Sequence, residues 1–140
     1  MKNKDQWIVH TGLTAAGGLG YILIELLWRG RSHWSMFLVG GICFEVIGAI
    51  HQRCRRLPLL VRGGICSAAV TGIEGLSGCV LNLGLKLDVW DYSRMKWNWR
   101  GQICAVYSLL WVLLSIAACP VYHGLTRLLT GALRRRAITR

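Results

Sequence analysis

The chain has 140 residues, of which 54% are hydrophobic and only 16% are charged, whereas an ordinary soluble domain has about 25% charged residues. With a mean hydropathy of +0.42, this composition excludes an ordinary soluble domain and indicates an integral membrane protein. The formal charge of +11 does not predict a nucleic-acid partner, because the basic residues lie between and after the apolar segments, where charge records membrane topology.

Four apolar segments follow one another along the chain, at about residues 7–28, 34–50, 63–85 and 103–122. Each reaches or approaches the roughly 17–25 residues that span a bilayer, and lipid-embedded backbone must form its hydrogen bonds within the segment, so we expect helices. The first segment resembles a signal peptide, but it contains Glu25 and lacks a small-residue cleavage site, so we interpret it as a retained helix. The short connections predict a single all-α domain, an integral membrane four-helix up-down bundle.

The distribution of lysine and arginine predicts the orientation of this bundle. With four crossings, the N-terminus, the connection between the second and third helices and a basic tail at residues 126–140 share one side. That side holds eleven lysine and arginine residues, including Lys2 and Arg140, against six on the other side. The positive-inside rule therefore predicts that both termini are cytoplasmic.

Glutamates inside the helices are the candidate functional residues. Glu45 and Glu74 each lie eleven residues into a predicted helix, near mid-membrane at about 1.5 Å of rise per residue, and antiparallel helices would let them approach each other. Thr71 and Asn82 share a polar stripe with Glu74, and Glu25 lies one turn from Arg29, with which it could pair. A charge at mid-membrane costs about 2.5–3.5 kcal/mol on insertion scales, so these groups must be protonated, paired or in contact with a wet cavity.

Two interpretations of this polar stripe remain open. It is either a packing seam whose neutral glutamates share hydrogen bonds, or a proton- or cation-linked site between the first three helices.

The stretch 86–102, which we call the aromatic loop, mixes tryptophan with charge. Such a mixture is typical of the headgroup layer, which predicts membrane-interface anchors at Trp90, Asp91, Tyr92, Trp97, Asn98, Trp99 and Gln102. Asn98 is expected to cap the fourth helix, and Asp91 to bind Arg94 or the backbone of a turn.

The chain carries no recognisable catalytic motif. Its six cysteines form no C-x-x-C pair, and Asp88 and Asp91 have no nucleophile beside them. We therefore expect a protein that is not an enzyme and binds neither a metal nor a cofactor.

The segments "WRGRSHWSMFLVGGICFE", "TGIEGLSGCVLN" and "VWDYSRMKWNWRGQIC…SLLWVLLS" resemble a bacterial family known as putative ABC-transporter type IV, or CmpB-like permeases. The resemblance runs from about residue 20 to 116 and rests on the pattern W-D-Y-S, N-x-x-G-Q and S-L-L-W. Relatives often read M-P-F-N where this chain has Met95-Lys96-Trp97-Asn98. The resemblance implies a small multi-pass protein of the bacterial inner membrane, and an ABC mechanism implies a separate nucleotide-binding subunit.

The sequence thus predicts a transporter or permease component with a mid-membrane carboxylate site. The alternative is a scaffold whose basic loops and tail dock a partner or anionic lipid. The expected partners are the lipid bilayer and either further copies of the chain or other membrane subunits.

Overall fold

The computed structural model describes residues 3–138, so Lys2 and Arg140 of the charge count lie outside the described residues. Four helices make up most of it: α1 (Asn3–Arg29), α2 (Ser35–Arg53), α3 (Leu59–Gly78) and α4 (Ala105–Ile138). A π-helical turn, Cys79–Gly84, extends α3, and two short strands, β1 (Asn98–Trp99) and β2 (Ile103–Cys104), precede α4.

The helices form an antiparallel bundle that confirms the predicted fold. Close contacts pair residue 18 with 37 and residue 14 with 41 between α1 and α2, and residue 63 with 116 between α3 and α4. The spans 3–29, 35–53, 59–84 and 105–138 are each long and apolar enough to cross a membrane. Large apolar side chains such as Leu27, Leu76 and Leu109 face outward, as expected for a surface in contact with lipid.

Glycines bring α1 and α2 into backbone contact. A Cβ atom on Gly18 would lie 2.3 Å from the carbonyl oxygen of Phe37, and one on Gly41 would lie 2.6 Å from that of Thr14. Helices in lipid gain little from the hydrophobic effect, so close packing of this kind is a main source of their association.

The fourth helix is longer than the sequence predicted. The apolar pattern placed its end near residue 122, with a basic tail from residue 126, but the helix continues to Ile138. Leu125, Leu129 and Leu133 recur at four-residue spacing and pack against a cluster of Val9, Leu13 and Tyr122. This contact with α1 supports the helix beyond the predicted span.

The aromatic loop folds into a compact cap on one end of the bundle. Its strands pair Asn98 with Cys104 and Trp99 with Ile103. Residues 100–102 connect the strands, and the Gln102 N–H donates to the Trp99 carbonyl at 2.9 Å. The central residues of this turn, Arg100 and Gly101, have positive φ angles of 51° and 71°, as in a type I′ turn. We call this the loop end of the bundle, and the opposite end, where α1 begins and α4 ends, the termini end.

The α1–α2 contact predicts unequal effects of the same substitution at two glycines. Gly18→Ala should lower the free energy of unfolding by about 1–3 kcal/mol, because its methyl group meets backbone that cannot move aside cheaply. Gly20→Ala is the matched control, because no atom lies within 4 Å of its added Cβ. Denaturant unfolding in detergent micelles measures both, and equal stabilities would contradict this account of the contact.

Candidate functional site

Both carboxylate oxygens of Glu45 on α2 have hydrogen-bond partners on neighbouring helices. The His10 ring on α1 lies 3.2 Å from both carboxylate oxygens, and the Tyr122 hydroxyl on α4 donates a hydrogen bond of 3.1 Å to Oε2. Glu45 therefore joins three helices by polar contacts, which is what a structural polar group in a membrane bundle does.

Glu74 on α3 has a different environment. Its side chain is buried, and Oε1 accepts a long hydrogen bond of 3.4 Å from the Tyr92 hydroxyl of the aromatic loop. The Trp111 indole interacts with the same carboxylate, yet Oε2 has no hydrogen bond of ordinary geometry to any residue that the structure describes. Glu45 and Glu74 thus have separate partners, and the structure does not join them in the shared site that the sequence allowed.

Glu74 instead lies in the wall of a cavity of about 220 Å³ between α1, α3, α4 and the aromatic loop. Glu25 and Arg29 line the same cavity, which we call the polar cavity. The expected pairing of these two residues is confirmed: the Arg29 guanidinium binds the Glu25 carboxylate. The Ser32 hydroxyl donates a second hydrogen bond to Glu25, and Arg29 reaches the Val89 carbonyl at 3.5 Å.

Aromatic rings cover much of the remaining wall of the polar cavity. Tyr92 and Tyr107 stack with their ring centroids 4.7 Å apart, and Tyr21 and Trp111 stack with centroids 5.7 Å apart. The Trp28 indole donates a hydrogen bond to the Tyr107 hydroxyl at 3.2 Å, which joins α1 to α4 at the loop end.

A second cavity of about 290 Å³ lies next to the first, on the side toward the termini end. The two share Tyr21, Ile24, Trp111 and Leu114 as lining residues. The second cavity, here called the apolar cavity, is otherwise lined by small and aliphatic residues of α1, α2 and α4, with Phe44 the further ring in its wall. We call the two neighbouring cavities together the cleft; the stacked Tyr21 and Trp111 rings line both and lie where the cavities meet, and Glu74 lies in the wall at the loop end.

The other residues of the predicted polar stripe have structural partners. The Thr71 and Ser108 hydroxyls lie 2.9 Å apart and connect α3 to α4. Asn82, in the π-helical turn, accepts from the Val89 N–H at 2.7 Å and donates to the carbonyl of Trp90 and the side chain of Gln102, both at 2.9 Å. Asn82 therefore fixes the aromatic loop and does not face the cleft.

The aromatic loop divides into a buried part and an exposed part. Trp90 is only 2% exposed and donates through its indole to the Gln102 carbonyl at 2.9 Å, whereas Trp97 is 83% exposed. Trp90 and Gln102 lie in the interior of the cap and do not face the headgroup layer, in contrast to the interpretation from sequence. Trp97 and Trp99 keep the exposure that an interface anchor needs.

Polar residues of the loop form its turns. Asp91 accepts hydrogen bonds of 2.8 Å from the backbone N–H and the hydroxyl of Ser93, and these bonds lower the pKa of Asp91. Burial raises the pKa of the Tyr92 hydroxyl, and the nearby Glu74 carboxylate acts in the same direction. Tyr92 therefore stays protonated and available as a donor.

The sequence predicted that Asn98 caps α4, and this prediction is wrong. Asn98 lies in β1, seven residues before α4 begins at Ala105. Its side chain accepts from Gly101 N–H at 3.0 Å and donates to the carbonyls of Ser93 and Met95. The physical reason is that the hairpin occupies the segment where the apolar pattern had placed the start of the helix.

The sequence did not identify the aromatic wall of the cleft. Helical spacing places Tyr21 with Trp28 on one face of α1 and Tyr107 with Trp111 on one face of α4, but nothing in the sequence links one pair to the other. His51 is also buried, at 1% exposure, and neither ring nitrogen has a hydrogen bond of ordinary geometry to residues 3–138.

No group of three or more histidine, cysteine, aspartate or glutamate side chains that could hold a metal ion occurs in the described part of the chain. The chemistry that the cleft offers is therefore that of a single incompletely bonded carboxylate, an ion pair and a ring of aromatic side chains.

Comparison with known proteins gives one result. A family model described as "Putative ABC-transporter type IV" matches residues 17–139. No curated protein and no solved structure gives a significant match to the chain.

The division of the aromatic loop predicts different effects of one substitution at two tryptophans. Trp90→Phe should lower the free energy of unfolding by about 1–3 kcal/mol, because it leaves the buried Gln102 carbonyl without its donor and removes packed volume. Trp97→Phe, in the same loop but exposed, should change it by no more than about 0.5 kcal/mol. Denaturant unfolding in micelles measures both values. A larger effect at Trp97 than at Trp90 would contradict the assignment of Trp90 as the buried ring.

Proposed function

The chain belongs to the family described as "Putative ABC-transporter type IV", and from that premise we propose that it is a membrane component of a transporter. In this proposal Glu74 is the residue that holds a proton or a transported cation. The cleft between α1 and α4 gives the cation access to this carboxylate.

The observation that carries the proposal is the incomplete bonding of a buried carboxylate. Glu74 is 3% exposed, yet Oε2 has no hydrogen bond of ordinary geometry within residues 3–138, and the side chain lies in the wall of the polar cavity. Leaving a buried acceptor unsatisfied costs about 1–3 kcal/mol, and more for a charged group. A proton or a bound cation would remove that cost, so the site favours occupation.

Glu45 fits a structural role better than a transport role. His10 and Tyr122 supply donors to it from two other helices. Of the two mid-membrane glutamates predicted from the sequence, we therefore propose only Glu74 for the carboxylate site. Glu25 and Arg29 are its charged neighbours in the polar cavity.

ATP hydrolysis, if it drives this transport, takes place outside these 140 residues. The 140 residues contain no G-x-x-x-x-G-K-[ST] motif, which nucleotide-binding subunits use to hold phosphates. We therefore propose further membrane or nucleotide-binding subunits, or further copies of this chain, as partners.

We propose a bacterial cell membrane as the location, with both chain termini on the cytoplasmic side. The support is the excess of lysine and arginine at the termini end, since such an excess marks cytoplasmic loops.

The same conservative change at the two glutamates tests the transport proposal. In liposomes that contain the purified chain, Glu74→Gln should reduce proton- or cation-linked flux at least about tenfold, because glutamine cannot exchange a proton or pair with a cation. Glu45→Gln is the matched control and should retain most of the flux. A pH-sensitive dye and a set of monovalent cations inside the vesicles provide the readout.

Folding of both variants is checked by circular dichroism and size-exclusion chromatography. Unchanged flux in Glu74→Gln, or the absence of flux from the unmodified chain, would contradict the proposal.

A second candidate function is supported by the length of α4. Its 34 residues rise about 51 Å, whereas the hydrocarbon core of a bilayer is about 30 Å thick, so α4 projects beyond the membrane at the termini end. The projecting part carries Arg127 and Arg134–Arg136. We propose that it docks on anionic lipid, since basic segments next to a membrane are attracted by about 1 kcal/mol per residue.

Hydrogen exchange in nanodiscs tests this docking. Protection of residues 126–138 should rise with the phosphatidylglycerol content, and the triple change of Arg134, Arg135 and Arg136 to glutamine should abolish the rise. The triple change of Arg31, Arg94 and Arg100 to glutamine, at the loop end, removes the same charge and should leave the rise intact. Protection that does not respond to phosphatidylglycerol would eliminate the lipid-docking role.

A further inference from the structure

We propose that the cleft between α1 and α4 binds an organic ammonium ion that carries an apolar tail. The ammonium group lies against Glu74 in the polar cavity, and the tail lies along the apolar cavity. This inference rests on the proposed function, since it names the chemical class of the cation that Glu74 holds.

The charges around the polar cavity favour a cation. Arg29 is engaged by the Glu25 carboxylate and the Val89 carbonyl, so its charge is compensated within the wall. Glu74 has no basic partner within salt-bridge distance among the described residues. The net charge left for a ligand is therefore that of one carboxylate, whose oxygen Oε2 is buried without a hydrogen bond of ordinary geometry.

The aromatic wall favours an organic cation over a hydrated metal ion. Five aromatic side chains line the polar cavity together with Glu74, namely Tyr21, Trp28, Tyr92, Tyr107 and Trp111. Aromatic faces attract ammonium groups, and the attraction is stronger when water is excluded. Calcium and magnesium instead need about six or more oxygen ligands, which the wall of this cavity does not offer.

The continuation of the cleft favours an apolar tail. The apolar cavity follows α1 from Ile24 to Ala16, a distance of about 12 Å at the rise of an α-helix. Gly20 lies along it and leaves room that a larger side chain would fill, since no atom of a neighbouring element lies within 4 Å of an added Cβ. Ile24, Leu114 and Val121, which line this part of the cleft, are exposed to the lipid side, so a tail can enter from the bilayer.

The cleft is closed at its loop end, and this determines where the head group of the ligand lies. The hydrogen bond between Trp28 and Tyr107 joins α1 and α4 at the loop end, and the contact of Gly12 with Leu129 joins them toward the termini end. Between these two contacts the helices are held by the Tyr21–Trp111 stack. An amphiphile in the cleft therefore has its polar head beneath the aromatic loop and its tail beside the stacked pair.

Decyltrimethylammonium is a suitable probe, because its extended tail is of similar length to the apolar cavity. Equilibrium dialysis of the labelled probe against the full chain in dodecyl maltoside micelles measures its binding. Dodecyl maltoside is neutral and present in large excess, so it would displace a probe that bound through its apolar tail alone. We expect saturable binding to the unmodified chain, competed by tetramethylammonium and not by the same concentration of potassium.

Two sets of variants test the proposed contacts. Glu74→Gln should weaken binding at least about tenfold, and Glu45→Gln should leave it within about twofold. Tyr107→Leu should weaken binding by several-fold, and Tyr107→Phe, which keeps the ring, should restore it. The tyrosine pair keeps the proposal testable if Glu74→Gln does not fold.

The natural ammonium group could belong to a lipid head or to a free organic cation, and the same assay separates these sources. Phosphatidylethanolamine added to the micelles should compete with the probe if the source is a lipid, whereas phosphatidylglycerol should not. Probe binding that resists both lipids indicates a free cation.

Several outcomes would overturn the inference. These are the absence of saturable binding, equal binding to Glu74→Gln, and equal weakening by Glu45→Gln. Glu74-dependent proton flux without probe binding would leave the proposed transport function in place and remove only this ligand class. Probe binding without flux would support this ligand class and contradict the proposed transport function.

Discussion

The backbone contact between α1 and α2 is the constraint on which the rest of this bundle depends. Gly18 and Gly41 let each helix touch a carbonyl oxygen of the other, and only residues without a side chain permit that distance. The neighbouring Gly40 receives the Tyr21 side chain at close range, which fixes the position of the tyrosine ring. Tyr21 in turn stacks on Trp111 of α4 and forms part of the cleft wall. A packing seam in one helix pair thus determines the shape of a cavity next to another helix.

The aromatic loop completes the cleft through a small polar network. Asn82 and Gln102 hold the backbone at Val89 and Trp90, and the Trp90 indole closes the network on the Gln102 carbonyl. With this part of the loop fixed, Tyr92 lies within hydrogen-bonding reach of Glu74. The π-helical turn at Cys79–Gly84 contains Asn82, and such turns occur frequently at functional sites in helices.

The polar residues of the bundle divide into those whose hydrogen bonds are complete and those whose hydrogen bonds are not. Glu45, Thr71 and Asn82 have partners on other elements and explain why the helices and loop stay together. Glu74 is buried with one oxygen unsatisfied beside a cavity. Because an unsatisfied buried acceptor destabilises the fold, a ligand or a proton is the simplest reason for it to be there.

The sequence by itself determined the membrane character, the number of helices and their antiparallel order, because hydrophobic length and short connections depend only on residues close together in the chain. It also placed Glu25 beside Arg29, since their spacing of one helical turn brings them together. Only the tertiary structure decided that Glu45 and Glu74 belong to different sites, that Trp90 is buried while Trp97 is exposed, and that Asn98 serves the hairpin instead of α4. Each of these depends on the rotation of a helix or on the path of a loop, which are set by contacts between residues distant in the chain. The aromatic wall of the cleft joins α1, α4 and the loop for the same reason, and no local pattern in the sequence could reveal it.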